Sequence, residues 1–324
     1  MSWTFLLSCL CALLVGYSIN QGGTCGVASA RALVEQGRID GFVGFAVATG
    51  AAGVVCLPTV WLIGMTAHAS SIAIVSPALC LGAVLLGLGA TLNDACLLGS
   101  LWRLGNGELR FLGLPAGLAS GFLLVSLLSG DITTSLQPNP LVTPGLGGVA
   151  IIIGSAVIFA VAWTVLRILP SRETGKWPLG VAIAMLGVTG AMLYVLQPGW
   201  SYADTIRREV SPLMAMTGIG GVVAAVLTLA GASVSAIRLG VFRPSRPSAH
   251  GLARSFGGGL LIAVGALMIP GGNDTLLLAS VPAGSVSGAL AYTIMTLVVL
   301  SCVAIEARGR RQRSMSTGGD ESVA

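Results

Sequence analysis

The sequence predicts an all-α integral membrane protein: about nine transmembrane helices in two inverted repeats, with re-entrant loop and half-helix segments. Composition is the first reason. Of 324 residues, 54% are apolar and only 9% charged, and the mean hydropathy is +0.90; a soluble domain carries roughly 25% charged residues. Continuity is the second. The apolar runs last about 20 residues without alternating, the length of a helix through hydrocarbon. Lipid offers exposed backbone no partner, so the spans are helices. Self-similarity is the third. Gln21-Gly22-Gly23-Thr24-Cys25 is answered 176 residues on by Gln197-Pro198-Gly199-Trp200-Ser201, and Arg31 by Arg207. The same offset pairs Gly82 with Gly258, Leu85 with Leu261, Gly89 with Gly265, Ala90 with Ala266 and Cys96 with Gly272. The chain has only five Gln, so the Gln match weighs more than matches among 46 glycines.

The spans follow in order, at roughly 3–19, 41–66, 71–92, 110–130, 146–168, 178–197, 212–235, 252–269 and 284–306. The first follows Ser2-Trp3-Thr4. No basic n-region precedes it, so a signal peptide is not expected, and a lipoprotein role for Cys9 is weak for the same reason. The second and third are separated by a loop holding His68, to which no role is assigned. The third runs into Asn93-Asp94, and the fourth begins at Arg110. The fifth is the unpaired linking span. The sixth ends at the Gln197-Pro198-Gly199 break, the seventh before Arg238, the eighth at Pro270-Gly271 and the ninth before the basic tail.

Basic residues orient the bundle. With the N-terminus outside and an odd number of spans, the C-terminus is cytoplasmic. The inner loops and span ends then hold 15 of the 17 basic residues, all but Arg207 and Arg208. That asymmetry is the positive-inside signature. The first repeat, 1–130, starts outside. The linking span lies within 131–177. The second repeat, 178–306, starts inside, so the repeats are inverted. The polar tail, 307–324, is expected to be disordered. The net charge of +5 belongs to loops and implies no nucleic-acid partner.

Broken helices at corresponding places in two halves point to a transport site near the midplane. Segments 20–38 and 93–108 face the cytoplasm, and their counterparts 197–211 and 270–282 face outside. Cys25 and Cys96 stand where half-helices begin. A helix N-terminus carries partial positive charge and free N–H groups, which hold an anion. Cys9, Cys11, Cys56, Cys80 and Cys302 lie in plain apolar runs and read as small buried hydrophobes. Asn93 and Asn273 read first as N-caps. Asp94 and Asp274 are costly at membrane depth and so are functional candidates. Beside a bound anion, either must be protonated or held apart from the charge. Arg31 and Arg207 are candidates for charge at the two mouths, and Arg31 also fits a positive-inside anchor. Gln21 and Gln197 mark the first break of each repeat. His250 is assigned nothing. No Cys-x-x-Cys or Cys/His pattern suggests a metal, no cofactor is expected, and no phosphate-binding loop implies direct ATP coupling.

The run from Gly87 to Glu108, with Asn93-Asp94-Ala95-Cys96, Gly99-Ser100-Leu101-Trp102-Arg103 and Gly105-Asn106-Gly107, resembles the Cys-centred signature of the YeeE/YedE sulfur-transport family. The segment Gln21 to Leu33 is similar to that family's first Cys loop, and Gly258 to Leu278 to its last. The resemblance implies an inner-membrane permease importing thiosulfate or a related sulfur anion along a path of cysteines, here Cys25 and Cys96. The family's last loop carries Gly-Gly-Cys. This chain has Pro270-Gly271-Gly272-Asn273-Asp274 instead. Either Asn273 and backbone N–H groups stand in for the third thiol, or the substrate differs.

Two other classes compete. One is a membrane thiol enzyme using Cys96, although neither His lies near it in sequence to serve as a base. The other is a membrane subunit that recruits a soluble sulfur carrier or sulfurtransferase to its basic inner face. Uptake without chemical change, by this protein alone, separates them.

Overall fold

The computed structural model describes residues 3–63, 71–129, 136–169, 177–197, 199–210, 219–269 and 271–318. His68, the start of the seventh expected span, Pro198, Pro270 and the last residues of the tail lie outside them. The architecture is all-α. Among the described residues, nine helices are long and apolar enough to cross a membrane. The only strands there are β1 (Ser71–Ala73) and β2 (Leu136–Pro138), a short antiparallel pair.

The helices alternate long and short. α1 (Trp3–Gly22) is followed by α2 (Gly26–Gln36), then the long α3 (Asp40–Ile63). α4 (Pro77–Asn93) leads into the short α5 (Leu97–Gly105), then α6 (Gly113–Ser129). α7 (Leu146–Ile168) stands apart, packed mainly on α3, with Ile153, Val157 and Val161 exposed. The long–short pattern then returns. α8 (Leu179–Leu196), α9 (Tyr202–Val210) and α10 (Ile219–Leu239) are followed by α11 (Ala249–Met268) and α12 (Asn273–Thr275). A π-helical turn, Leu276–Ser280, continues α12, and α13 (Val286–Gly318) closes the chain. α1 and α8, α2 and α9, and α5 and α12 each begin 176 residues apart, the offset of the Leu97–Asn273 hydrogen bond.

Two boundaries differ from expectation. The third expected span begins with β1, and its helix starts only at Pro77, where the Ser76 hydroxyl accepts from the Leu79 N–H. Pro at the first helical position has no N–H to leave unpaired, so the cap and the proline together set the start. The other is the tail, expected to be disordered from 307. α13 instead continues to Gly318, and Arg310 reaches Glu35 of α2 at 2.8 Å. Intrahelical hydrogen bonds propagate cheaply once a long helix is nucleated.

The centre of the bundle is the antiparallel crossing of α4 and α11. A Cβ at Gly89 would lie 2.7 Å from the Gly258 carbonyl oxygen, and one at Gly82 2.8 Å from that of Gly265. Backbones this close require glycine at the crossing, the way helices associate in lipid. The glycines that the repeat offset equates are therefore the ones that meet, each with the other's counterpart.

Candidate functional site

The site grows from the two breaks in the first half. After α1, Gly23 turns the chain with φ 55°, and Cys25 becomes the N-cap of α2 in extended conformation. After α4, Asp94 takes the left-handed conformation, φ 66°, alone among the described non-glycine residues. Two residues on, Cys96 is the N-cap of α5. Neither cysteine caps with its side chain, so both sulfurs are free to face each other. The two thiols lie beside each other, and the Gly26 N–H donates to the Cys96 sulfur at 3.3 Å. Both residues are buried, at 0% and 4% exposure. The Cys25 sulfur lies directly over Gly99, where any side chain would overlap it. The Gly-Ser-Leu-Trp-Arg step therefore begins with glycine for room.

The second half closes on the same point. Asn273 Oδ1 accepts from the Leu97 N–H at 3.1 Å, and Tyr202 OH donates to the Leu97 carbonyl at 3.3 Å. The expected capping roles need correction here. The N-cap of α12 is Gly272, and Asn273 caps α5 across the bundle instead. Asn93 caps no half-helix. It ends α4, and its amide donates to the Ala95 carbonyl at 2.7 Å and the Ser100 hydroxyl at 2.8 Å. It braces the break that carries Cys96. Removing the Asn273 amide leaves the Leu97 N–H buried without an acceptor, which costs about 1–3 kcal/mol. Asn273→Ala should therefore lower unfolding stability in detergent by that amount, while Asn273→Asp should lose less. Equal stability of wild type and Asn273→Ala would show that the amide is not a cap.

Below the thiols lies a cavity of about 350 Å³, lined among others by Gly22, Thr24, Arg31, Arg38, Asp94 and Arg103. Asp94 is its pivot. Arg31 pairs with it, Arg110 donates to it at 3.0 Å, and Arg103 stands 3.7 Å away. Arg38 holds Asp40 through two hydrogen bonds, at 3.2 and 2.9 Å. Above the vestibule, Cys96 and Asn273 share a second cavity of only about 20 Å³ with Gly26 and Tyr292. That volume admits one water. On the far face, Tyr194 and Trp200 are each 1% exposed, with rings 5.1 Å apart. The Ser201 hydroxyl faces the buried Asp274 carboxyl, and Tyr194 bonds Thr275 at 3.0 Å.

The expected residues thus divide. Cys25, Cys96 and Asn273 converge on one point, with Asn93 bracing it, Gly272 against Leu97 and Asp274 close by. Arg31 and Asp94 form the vestibule. Gln21 is committed elsewhere: it is buried, donates to Ser235 at 3.1 Å and accepts from the Trp177 N–H. Gln197 sits against Gly220, and Arg207 acts electrostatically on Asp204 of its own helix. Sequence reasoning treated Arg103 and Arg110 only as membrane anchors and gave Tyr202 and Thr24 no role. Position in the Gly-Ser-Leu-Trp-Arg step was the signal for Arg103. For Tyr202 there was none.

Compared with known families, residues 21–300 match the profile of one described as sulphur transport. No curated protein matches the chain. The matched region begins at the first break and runs through all four short helices.

Proposed function

Because the chain belongs to the sulphur-transport family, we propose that it is a bacterial inner-membrane permease for a small sulfur-containing anion, thiosulfate or a related compound. The observation that carries this is the paired thiols of Cys25 and Cys96 at the N-termini of α2 and α5, directly above a vestibule with three arginines. A thiol is a weak, adaptable donor. It guides an oxyanion without trapping it, while the helix N-termini favour negative charge. The substrate passes unchanged, so the protein acts as a carrier and not as a thiol enzyme.

The halves work as inverted repeats, with α2 and α5 re-entrant from the cytoplasm and α9 and α12 from outside. The antiparallel crossing of α4 and α11 and the shared 176-residue offset of α1 and α8, α2 and α9, and α5 and α12 support this. The arginine-lined mouth is cytoplasmic, in keeping with the charge asymmetry that places the N-terminus outside and the C-terminus inside. A soluble sulfur carrier or sulfurtransferase is the candidate recipient there, and the lipid bilayer covers the flanks. A C-terminal reporter active only in the periplasm would reverse this orientation.

Gly272 takes the place of the third cysteine. A Cβ there would lie near the Asp274 carboxylate, 2.6 Å from Oδ1, and overlap the tip of Leu97. Both obstacles are ends of flexible side chains. Gly272→Cys should therefore fold and shift preference toward thiosulfate, whereas wild type accepts a broader set of small oxyanions. The measurement is uptake of labelled thiosulfate into proteoliposomes holding only this protein, with unlabelled sulfate and sulfite as competitors. No uptake of any member of the panel overturns the permease. Strict thiosulfate selectivity in both proteins overturns the role of the outer loop.

A further inference from the structure

We propose that the arginine vestibule is a release site for the transported dianion, in which Asp94 is a tethered competing anion; this rests on the permease reading above. The lining holds three arginines, Arg31, Arg38 and Arg103, against three acids, Glu35, Asp40 and Asp94. With no cargo present, these formal charges cancel. Two of the acids have local duties that leave them fixed. Asp40 is chelated by Arg38, and Glu35 is held by Arg310 of α13. Of the three, Asp94 draws on Arg31 and Arg103, with Arg110 behind it; Glu306 and Glu108, outside the lining, reach the same two arginines at 3.4 and 3.6 Å.

The vestibule also keeps donors in reserve. The Thr24 hydroxyl lines it, is 4% exposed and has no hydrogen-bond partner among the described residues; Arg31 Nε is likewise buried without an acceptor among them. Thr24 immediately precedes Cys25, and Arg31 lies six residues after it, within two turns of α2. An oxyanion leaving the thiols for this cavity meets these donors together with the guanidinium groups that Asp94 now occupies. Arginine recognises a carboxylate and an oxyanion through the same planar fork. One displaces the other without new geometry.

Without competition, two arginines in a half-enclosed mouth would hold a dianion strongly, and tight binding at an exit slows turnover. A carboxylate fixed to the wall stays at an effective concentration in the millimolar range or above. It returns to Arg31 and Arg103 as the cargo loosens and so speeds departure. The left-handed backbone of Asp94 suits this duty, because it aims the carboxylate out of the end of α4 and toward α2 and α5.

Asp94→Asn tests the idea and keeps the backbone, since Asn is among the residues that adopt this conformation most readily. Purified wild type and Asp94→Asn are titrated with thiosulfate and with sulfate by calorimetry, and uptake is followed in proteoliposomes with and without thiosulfate inside. Expected is binding about tenfold tighter in Asp94→Asn, a turnover several-fold lower, and inhibition by internal thiosulfate at lower concentration. Adding Arg103→Gln should reverse the tighter binding. Unchanged or weaker binding in Asp94→Asn overturns the proposal, because the carboxylate then only positions the arginines. Asp94→Gly provides a second carboxylate-free variant with the same backbone. Failure of both to fold also overturns it, showing Asp94 to be a structural cap. Tighter binding in Asp94→Asn without uptake by wild type would keep the anion site and remove the permease.

Discussion

Cys96→Ala is expected to lower uptake more than tenfold while leaving folded, monodisperse protein. Cys96 makes no side-chain cap, so α5 keeps its start without the sulfur. What disappears is the group that faces the Cys25 thiol and accepts from the Gly26 N–H beside the small cavity. Alanine there offers an apolar wall beside a cavity of about 20 Å³. A passing anion would lose its donor exactly where water is scarcest, and an unpaired polar group there costs about 1–3 kcal/mol. A barrier raised by 1.4 kcal/mol is a factor of ten in rate. Cys25→Ala should impair uptake less, because the N-terminal N–H groups of α2 remain beside Cys96. Initial rates of labelled uptake, normalised to folded protein, decide it. Normal transport by Cys96→Ala would take the thiol out of the mechanism.

Gly89→Leu is expected to abolish the folded protein altogether. Its Cβ would stand 2.7 Å from the Gly258 carbonyl oxygen and 2.9 Å from the Ile262 N. Those are backbone atoms of a packed helix, which cannot swing aside as a side-chain tip does. Overpacking a core costs about 1–3 kcal/mol where side chains can adjust, and here they cannot. The damage spreads to the site, because Gly258 also lies against Asn93, the brace of the Cys96 break. Separating α4 from α11 moves the thiols apart. Gly89→Ala should fold partially and transport poorly. Size-exclusion profiles of the two variants in detergent provide the check, and a monodisperse Gly89→Leu would show that the crossing is not close-packed.

Much of this protein was legible in its sequence. Hydrocarbon tolerates only hydrogen-bonded backbone, so long apolar runs had to become helices, and the described residues hold nine where nine were expected. The breaks at Gly23, Asp94 and Gly199 were legible too, because glycine and short polar residues accept positive φ. The place of Cys25 and Cys96 after the first two of those breaks was legible as well. The partners of the polar residues were not. Asn273 looked like a local cap, yet its amide serves a helix 176 residues away. Asp94 looked like an isolated buried charge, yet three arginines surround it. Gln21, conspicuous in the repeat, proved to bind Ser235 within the bundle.

The sequence by itself determined which stretches lie in the membrane as helices and where those helices break. Those properties follow from local backbone preference and from the solvent, and each residue contributes to them alone. Only the tertiary structure decided that Gly89 meets Gly258, that the two thiols touch, and that Asp94 occupies Arg31 and Arg103. Such contacts depend on how helix surfaces cross. In a medium as apolar as the side chains themselves, crossing is set by the shapes that let backbones approach, and hydropathy carries no record of shape.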